Sequence, residues 1–269
     1  MPKATEIKES KEIKTAAKKP KYSLSIVLPT YNERKNIEIL IPELENLFLK
    51  KRYDFEIIVV DDSSPDGTAE AAEEMNRRYR NVRVIVRLKK EGIGAALREG
   101  YNAAKNEIIV SMDSDLSFDP NDIFRFLEKI EEGYDLVLGG RHGSENNYEK
   151  KKFKIYVKWF ISKFGNKMNK VLSGVNVSDF TANFRAVKKD AWKHIKTKEK
   201  TNSILLEMII LSKVKGYKII EIPVAFKDRI HGESKINLAR EAPKFVAKLL
   251  KFSAKYRLLK MKDWSNKKN

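Results

Sequence analysis

Two aspartates separated by one serine, Asp113 and Asp115, follow the apolar run 108–112. If that run is a buried strand, both carboxylates leave it at its carboxyl end, where they repel each other unless a cation lies nearby. Carboxylate oxygens suit Mg²⁺ or Mn²⁺, and Mg²⁺ is usually held by one or two carboxylates together with substrate phosphates. The spacing therefore predicts a divalent cation and a phosphate-bearing ligand. A helix cap at Asp119-Pro120 is the simpler alternative, but it leaves Asp113 and Asp115 unexplained.

Four other apolar runs of the chain also end in polar or glycine-rich segments. These segments are Pro-Thr-Tyr-Asn-Glu at 29–33, Asp-Asp-Ser-Ser-Pro-Asp-Gly-Thr at 61–68, Lys-Lys-Glu-Gly-Ile-Gly-Ala at 89–95 and Gly-Gly-Arg at 139–141. Any one of them alone would most simply be a turn or a cap. Five such segments on one edge of a sheet instead predict a binding site.

The Gly92-Ile-Gly94 segment is weak evidence for a dinucleotide cofactor. It follows the third predicted strand and not the first, and the third glycine of the dinucleotide fingerprint is missing. This argues against a hydride-transfer cofactor. We expect instead a loop that lets a helix begin close to a ligand.

Hydrophobic periodicity indicates the elements that must position these segments. Five apolar strands alternate with four helices from residue 23 to residue 138. Runs of Val, Ile and Leu without polar alternation are typical of strands buried on both faces, so we expect an α/β fold with a mostly parallel sheet and helices on both faces. Ligands of such sheets bind beyond the carboxyl ends of the strands.

Composition excludes several classes of protein. The 269 residues contain no cysteine, which excludes a disulfide framework and a thiolate metal site. The apolar fraction of 42% is ample for a packed core. No run approaches the roughly 18 apolar residues that span a bilayer, and the first 20 residues lack the apolar core of a signal peptide. We therefore expect a folded protein without a transmembrane segment.

The net charge of +18 is concentrated in three segments, and the rest of the chain is close to neutral. Residues 1–21 are predicted to be a basic, solvated tail. The segments 148–171 and 237–269 are predicted to form basic amphipathic helices. Such a helix either packs its apolar face on the body of the protein or lies on an anionic membrane surface, and the two alternatives do not exclude each other.

Seven segments of the chain together resemble the family 2 glycosyltransferases of the GT-A fold, and among them the dolichyl-phosphate mannose synthases. The resemblance covers about residues 22–240, and its last segment is typical of the polyprenyl-phosphate sugar synthases. It predicts a catalytic domain over residues 22–236. The segments lie at 29–33, 61–68, 113–116, 139–141, 179–185, 206–208 and 223–235.

The resemblance implies an inverting transfer of a hexose from a nucleoside diphosphate sugar to a polyprenyl phosphate. GDP-mannose and dolichyl phosphate are the leading pair, and UDP-glucose is the alternative donor. The implied catalytic residues are Asp115, Arg141 and Arg229. The implied donor-binding residues are Pro29, Tyr31, Glu33, Val59, Asp61, Asp113, Ser114, Asp115, Arg141, Arg229 and Lys235. Contacts to the acceptor phosphate are implied for Lys158, Ser162 and Arg185.

Two departures from the family pattern concern the site. The resemblance implies a cation, Mg²⁺ or Mn²⁺, held by Asp113, Asp115 and a glutamine two residues further on, but this chain has Ser117 there. We expect Ser117 to reach the metal through a water molecule, or the two aspartates to hold it alone, so the choice of metal stays open. The second departure is Ala182-Asn183, where relatives have smaller residues, which would narrow the acceptor side near Arg185.

Two features of the sequence point to alternatives to an active enzyme of this family. The high net charge suggests a nucleic-acid-binding protein, but the chain contains no RNA-recognition or helix-turn-helix signature. Ser117 suggests an inactive scaffold, but both aspartates and the late basic residues are present. We expect the protein to act at the cytoplasmic face of a membrane as a peripheral protein, with an anionic membrane surface and a separate membrane-anchoring subunit as candidate partners and no nucleic acid.

Overall fold

The computed structural model describes residues 20–141 and 174–227, together with 247–248, 250–252 and 254. Several predicted features lie outside the described residues: residues 1–19 of the predicted tail 1–21, the amphipathic helix at 148–171, and most of 237–269. The same holds for four predicted site residues, which are Lys158, Ser162, Arg229 and Lys235.

Strands and helices alternate through most of the described chain, and residues 247–248, 250–252 and 254 are also helical. The strands are β1 Leu24–Thr30, β2 Phe55–Asp61, β3 Val82–Val86, β4 Ile108–Ser111, β5 Leu136–Gly140, β6 Arg185–Lys188 and β7 Ile219–Pro223. The helices are α1 Arg34–Lys50, α2 Thr68–Tyr79, α3 Ile93–Ala103, α4 Asp122–Glu131, α5 Lys189–His194 and α6 Ile204–Val214.

The seven strands form one sheet in the order β3-β2-β1-β4-β6-β5-β7. Strand β6 is antiparallel to both neighbours, β4 and β5, and the other pairs are parallel. The predicted α/β class with a mostly parallel sheet is confirmed. In the register of β1 and β2, Thr30 lies opposite Asp61, so the two strands end level with each other at the same edge.

The core consists of two apolar clusters, one on each face of the sheet. Leu28 of β1 belongs to the cluster that includes α1, α2 and α4, whereas Val27 belongs to the cluster that includes α3, α5 and α6. Adjacent residues of a strand point to opposite faces, so a strand buried on both faces needs an unbroken apolar run. All seven residues of β2 are buried, including the charged residues Glu56 and Asp61 on either side of its central apolar run.

Part of the C-terminal segment packs on the body of the protein. Phe252 is buried in the second apolar cluster, and Lys248 donates hydrogen bonds from Nζ to Glu199 Oε2 at 2.5 Å and to Thr201 Oγ1 at 2.8 Å. Leu250 is exposed. Among the described residues, no helix has both the length and the apolar character needed to cross a bilayer.

Candidate active site at the strand ends

Asp61, the last residue of β2, is held in place by hydrogen bonds from its neighbours. Its carboxylate accepts hydrogen bonds from Thr30 Oγ1 at 2.9 Å, from Ser64 N at 2.8 Å and from Ser64 Oγ at 2.5 Å. The side chain has no exposed surface. Asp61 therefore joins the ends of β1 and β2 and fixes the turn that follows β2.

The residues that follow β1 form one side of the same edge. Tyr31 is half-buried, and Lys90 lies over its ring with Nζ 3.2 Å from the ring centroid. Glu33 accepts a hydrogen bond from Asn36 Nδ2 at 2.6 Å. Val59, by contrast, lies in the core with no exposed surface. The predicted contact between Val59 and the nucleotide sugar stays a prediction.

A tight turn after β4 orients Asp115. Leu116 has a positive φ of 62°, and this conformation brings the chain back so that Asp115 Oδ1 accepts hydrogen bonds from Ser117 N at 3.2 Å and Ser117 Oγ at 2.6 Å. Ser117 is buried. Its hydroxyl thus holds the Asp115 carboxylate, and a contact of Ser117 with a metal stays a prediction. Ser114 donates to Pro29 O at 3.3 Å, which joins this turn to the end of β1.

Asp113 is oriented by a line of hydrogen bonds that reaches into the core. Asn183 donates from Nδ2 to Asp113 Oδ1 at 3.1 Å and accepts at Oδ1 from Ser111 Oγ at 2.9 Å. Ser111 Oγ lies 2.6 Å from the hydroxyl of Tyr101. Asn183, Ser111 and Tyr101 are all buried. The departure at Asn183 thus has a structural role, because the amide orients the first aspartate of the pair.

Arg141, which follows β5, is bound by the carboxylate of Asp179. Arg141 Nε lies 2.6 Å from Asp179 Oδ2, and Arg141 Nη2 lies 3.1 Å from Asp179 Oδ1. Nη2 also donates to Thr181 Oγ1 at 2.6 Å. The guanidinium carbon lies 5.3 Å from the ring centroid of Phe226. A bidentate pair of this kind fixes the plane of the guanidinium as well as its position.

The loop that carries Asp179 is attached to β7 by Glu221. The Glu221 carboxylate accepts hydrogen bonds from the backbone N–H groups of Ser178 and Asp179, each at 2.7 Å. A Cβ on Gly140 would lie 2.7 Å from the Glu221 carboxyl carbon. Gly140 is therefore the residue that lets Glu221 and the Asp179 loop approach the end of β5.

The model of glycosyl transferase family 2 matches residues 25–196. The chain belongs to this family. Its fold resembles that of glucosyl-3-phosphoglycerate synthase from Mycobacterium tuberculosis, solved with Mn²⁺, UDP and glucosyl-3-phosphoglycerate. The TM-score is 0.66 at 18% identity, over 87% of this chain and 81% of that one. The same enzyme has been solved with Mg²⁺ and UDP, with a TM-score of 0.66.

Two curated relatives in this family carry names that concern polyprenol phosphates. A dolichol-phosphate mannosyltransferase of Pyrococcus furiosus is 35% identical over 215 residues, which are 79% of this chain and 59% of that protein. A polyprenol monophosphomannose synthase of Mycolicibacterium smegmatis is 29% identical over 237 residues, which are 82% of this chain and 84% of that protein. The chain thus spans less than two thirds of the Pyrococcus relative.

Asp113 and Asp115, the predicted metal ligands, form a donor set of carboxylate oxygens that suits a divalent cation. Both carboxylates lie at the end of β4, and each is oriented by a hydrogen bond to Oδ1. Within the described ranges, no group of three or more His, Cys, Asp or Glu is gathered as a metal site. A cation bound here would draw its remaining ligands from substrate and water, as Mg²⁺ commonly does.

Arg185, predicted to contact an acceptor phosphate, lies in the interior of this family 2 domain. It has no exposed surface, and it donates to the carbonyls of Ala182 at 2.6 Å and Leu205 at 3.0 Å. Burial lowers the pKa of its guanidinium. The described contacts join the 182–184 loop to α6, and the phosphate contact stays a prediction.

The two glycines at the start of α3, Gly92 and Gly94, are packed against the backbone of the 199–201 segment. Gly94 N donates to Lys200 O at 2.9 Å. A Cβ on Gly94 would lie 2.4 Å from Thr201 O, and a Cβ on Gly92 would lie 2.7 Å from Lys200 O. The chain's own 199–201 segment thus packs against the first turn of α3, and a ligand next to this loop stays a prediction.

Sequence reasoning did not assign Asp179, Glu221 or Arg87. Arg87 is 5% exposed and forms ion pairs with Asp62, with Glu91 at 3.2 Å and with Glu99 at 3.1 Å. Burial raises the pKa of Asp62, while Arg87 acts in the opposite direction. In the sequence, the position of Arg87 directly after the apolar residues 84–86 is the signal that could have indicated these ion pairs.

Proposed function

We propose that the protein transfers a hexose from a nucleoside diphosphate sugar to a polyprenyl phosphate, with GDP-mannose and dolichyl phosphate as the leading pair. The observation that carries the proposal is one sheet edge with both an aspartate pair and an oriented arginine. Asp113 and Asp115 follow β4, and Arg141 follows β5. The names of the two curated relatives support the choice of mannose and polyprenyl phosphate.

The reaction brings several anionic groups together, so charge neutralisation is its main requirement. A phosphate oxygen of the acceptor forms a bond to the anomeric carbon of the sugar as the bond from that carbon to the diphosphate breaks, with inversion. The attacking oxygen is already ionised near neutral pH, so little is required of a general base. Arg141, fixed by Asp179, would neutralise charge on the diphosphate, together with Arg229 and Lys235. Positioning and electrostatic stabilisation then account for the rate.

Asp113 and Asp115 would hold the divalent cation, Mg²⁺ or Mn²⁺. Bound there, it would offset the negative charge of the leaving diphosphate. Ser117 would act by orienting the Asp115 carboxylate through its 2.6 Å hydrogen bond. Pro29, Tyr31, Glu33 and Asp61 would surround the base and ribose at the neighbouring strand ends.

A donor screen tests this proposal. The full chain is incubated with one polyprenyl phosphate and either GDP-mannose or UDP-glucose, with Mg²⁺ and Mn²⁺ in parallel, and the glycolipid is measured. Glycolipid formed from GDP-mannose supports the proposal. Glycolipid formed only from UDP-glucose would show that UDP-glucose is the donor. No product from either donor overturns the assignment.

A matched pair of variants tests the role of the carboxylates. Asp115→Asn should lower metal-dependent turnover by about a thousandfold or more, because a neutral amide is a poor ligand for a hard cation. Asp54→Asn makes the same change at an exposed position before β2 and should leave turnover unchanged. Activity of Asp115→Asn close to that of wild type would show that the cation lies elsewhere.

The lipid acceptor requires some route to a membrane surface. We propose peripheral binding at the cytoplasmic face through the basic segments, with a separate anchoring subunit as a further partner. Deleting 255–269 keeps Lys248 and the buried Phe252, so the body should remain folded. The truncated chain should lose more activity on acceptor in vesicles than on a soluble short-chain acceptor. Equal losses on both acceptors would contradict this role.

A further inference from the structure

A cavity of about 360 Å³ lies between α3, α5 and the segment that follows α5. Tyr101 and Asn102 of α3 line it together with Trp192 of α5. Lys189, also in its lining, donates from Nζ to the carbonyl of Lys105 at 2.8 Å. Lys105 precedes β4, so the cavity reaches the amino ends of the strands, away from the edge that carries Asp113.

Two buried aromatic side chains, Tyr101 and Trp192, line the cavity. Tyr101 and Trp192 are 3% and 5% exposed, and their rings meet edge to face with centroids 4.7 Å apart. Trp192 Nε1 donates to Asn102 Oδ1 at 2.9 Å. These contacts fix the positions of both rings and of the Asn102 amide, so this part of the cavity wall has a fixed shape.

The rim of the cavity is strongly cationic. Five basic side chains line it, and none of the described residues that line it is acidic; the five are Arg98, Lys189, Lys193, Lys196 and Lys198. Lys193 pairs with Asp190 at 2.7 Å, but both side chains are more than half exposed, and exposed pairs of this kind contribute little. Lys196 and Lys198 are exposed at the rim. The lining therefore carries five positive charges around one small space.

We propose that this cavity, the α3–α5 pocket, binds a phosphate group. Like charges gathered around a concave surface raise the local potential and concentrate anions there. A phosphate accepts several charge-assisted hydrogen bonds at once, so it offsets repulsion among the lysines. The volume is at the lower end of the range of about 300–1,000 Å³ for small-molecule sites, which suits a phosphorylated head group or a small phosphorylated metabolite. This site is separate from the donor site and does not rest on the proposed transferase activity.

The phosphate can come from an anionic lipid head group or from a soluble phosphate compound. The C-terminal helical residues lie beside the pocket, because Lys248 binds the side chain of Glu199 and Arg98 donates to the carbonyl of the same residue at 2.9 Å. Leu250 of that segment is 54% exposed. Both sources share the chemistry of a phosphate group, and the experiment below distinguishes them.

The test compares two double variants of the full chain that change the net charge equally. Lys196→Gln with Lys198→Gln removes two charges from the pocket rim, and Lys213→Gln with Lys215→Gln removes two exposed charges at the end of α6. One arm measures binding of inorganic pyrophosphate by calorimetry. The other measures sedimentation with phosphatidylcholine vesicles that contain or lack phosphatidylglycerol. Circular dichroism checks that each variant is folded. If a double variant does not fold, its two single substitutions are measured instead.

The pocket variant should bind about fivefold more weakly for each lysine removed, and the α6 variant should match wild type. Weaker binding of pyrophosphate by the pocket variant assigns the pocket to a soluble phosphate. Weaker binding only to vesicles with phosphatidylglycerol assigns it to a lipid head group. Equal binding by the two variants in both arms, or no binding by wild type in either arm, overturns the proposal.

Discussion

Asp179 binds the guanidinium of Arg141 through both of its carboxylate oxygens, at 2.6 Å and 3.1 Å. Asp179 has no exposed surface, whereas the Arg141 side chain is 27% exposed. The aspartate is therefore the buried support, and the arginine is the member of the pair that reaches the strand ends. The Asp179 carboxylate also accepts the backbone N–H groups of Thr181 and Ala182, so one buried group fixes both the arginine and the loop beside it.

We expect Asp179→Asn to lower kcat/KM for the donor sugar by about a hundredfold, because an amide cannot hold the guanidinium with two charged oxygens. Loss of a charge-assisted hydrogen bond should also lower the free energy of unfolding by about 2 kcal/mol. Steady-state kinetics and urea unfolding measure the two effects. Asp135→Asn is the matched control, since Asp135 pairs with Lys188 at 3.0 Å at the other end of β5.

The same interaction can be separated from a general loss of stability by a double-mutant cycle. If Asp179 acts on the reaction through Arg141, then Asp179→Asn should cost little further activity in an Arg141→Ala background. Full additivity of the two losses in kcat/KM would show that Asp179 contributes to turnover independently of Arg141.

We expect Ser117→Ala to raise the metal concentration at half-maximal activity by about tenfold. The hydroxyl of Ser117 orients the Asp115 carboxylate, and loss of a group that orients a metal ligand typically weakens metal binding by about 10–100-fold. Titration of activity with Mn²⁺ and direct calorimetry of Mn²⁺ binding measure the shift.

Ser212→Ala makes the same substitution at a buried serine of α6 whose hydroxyl has no hydrogen-bond partner among the described residues. It should leave the metal titration unchanged. An unshifted titration for Ser117→Ala would contradict an orienting role.

The first five strands could be predicted because each contains at least three consecutive apolar residues, even at the edge strand β3, which includes Arg83 and is only partly buried. Strand β6 could not be predicted in this way, because its four residues include Arg185 and Lys188 and only two are apolar. Its insertion between β4 and β5 depends on pairing between distant segments. Periodicity reports burial, but it carries no information about which strands become neighbours.

The same limit applies to the site. Asp61, Asp113 and Asp115 could be proposed as site residues from the sequence because they lie at or shortly after the ends of predicted strands. The partner of Arg141 was not found, since Asp179 lies 38 residues further along the chain and reaches it only through the fold. The contact between Gly94 and the Lys200 carbonyl could not be predicted for the same reason, because nothing in the local sequence indicates that the two segments meet.

The C-terminal segment gives a prediction about stability. Phe252 is 5% exposed within the second apolar cluster, and Leu250, two residues earlier, is 54% exposed. Phe252→Ala should lower the free energy of unfolding by about 3 kcal/mol through loss of burial and a residual cavity. Leu250→Ala should change it by less than about 0.5 kcal/mol. Equal effects in urea unfolding would show that the segment does not pack on the body in solution.

Glu45 of α1 gives a prediction about pH. It is 3% exposed, its Oε1 has no hydrogen-bond partner among the described residues, and burial raises its pKa above the ordinary 4.5, with Asn81 acting in the opposite direction. A carboxyl with a raised pKa binds its proton more tightly in the folded state. The protonated Glu45 carboxyl therefore makes its full contribution to the free energy of unfolding below the pKa of the unfolded state. This contribution is lost as the pH rises through the pKa of the folded state.

Replacing Glu45 by glutamine removes this loss, because the amide stays neutral at every pH. Glu45→Gln should therefore stabilise the protein by roughly 1 kcal/mol near neutral pH, and the gain should shrink as the pH falls towards about 4. Urea unfolding across this range measures the difference. Glu38→Gln on the same helix, where the carboxylate is 40% exposed and pairs with Arg34, should show no such trend. A gain for Glu45→Gln that grows at acid pH would contradict a buried, charged Glu45.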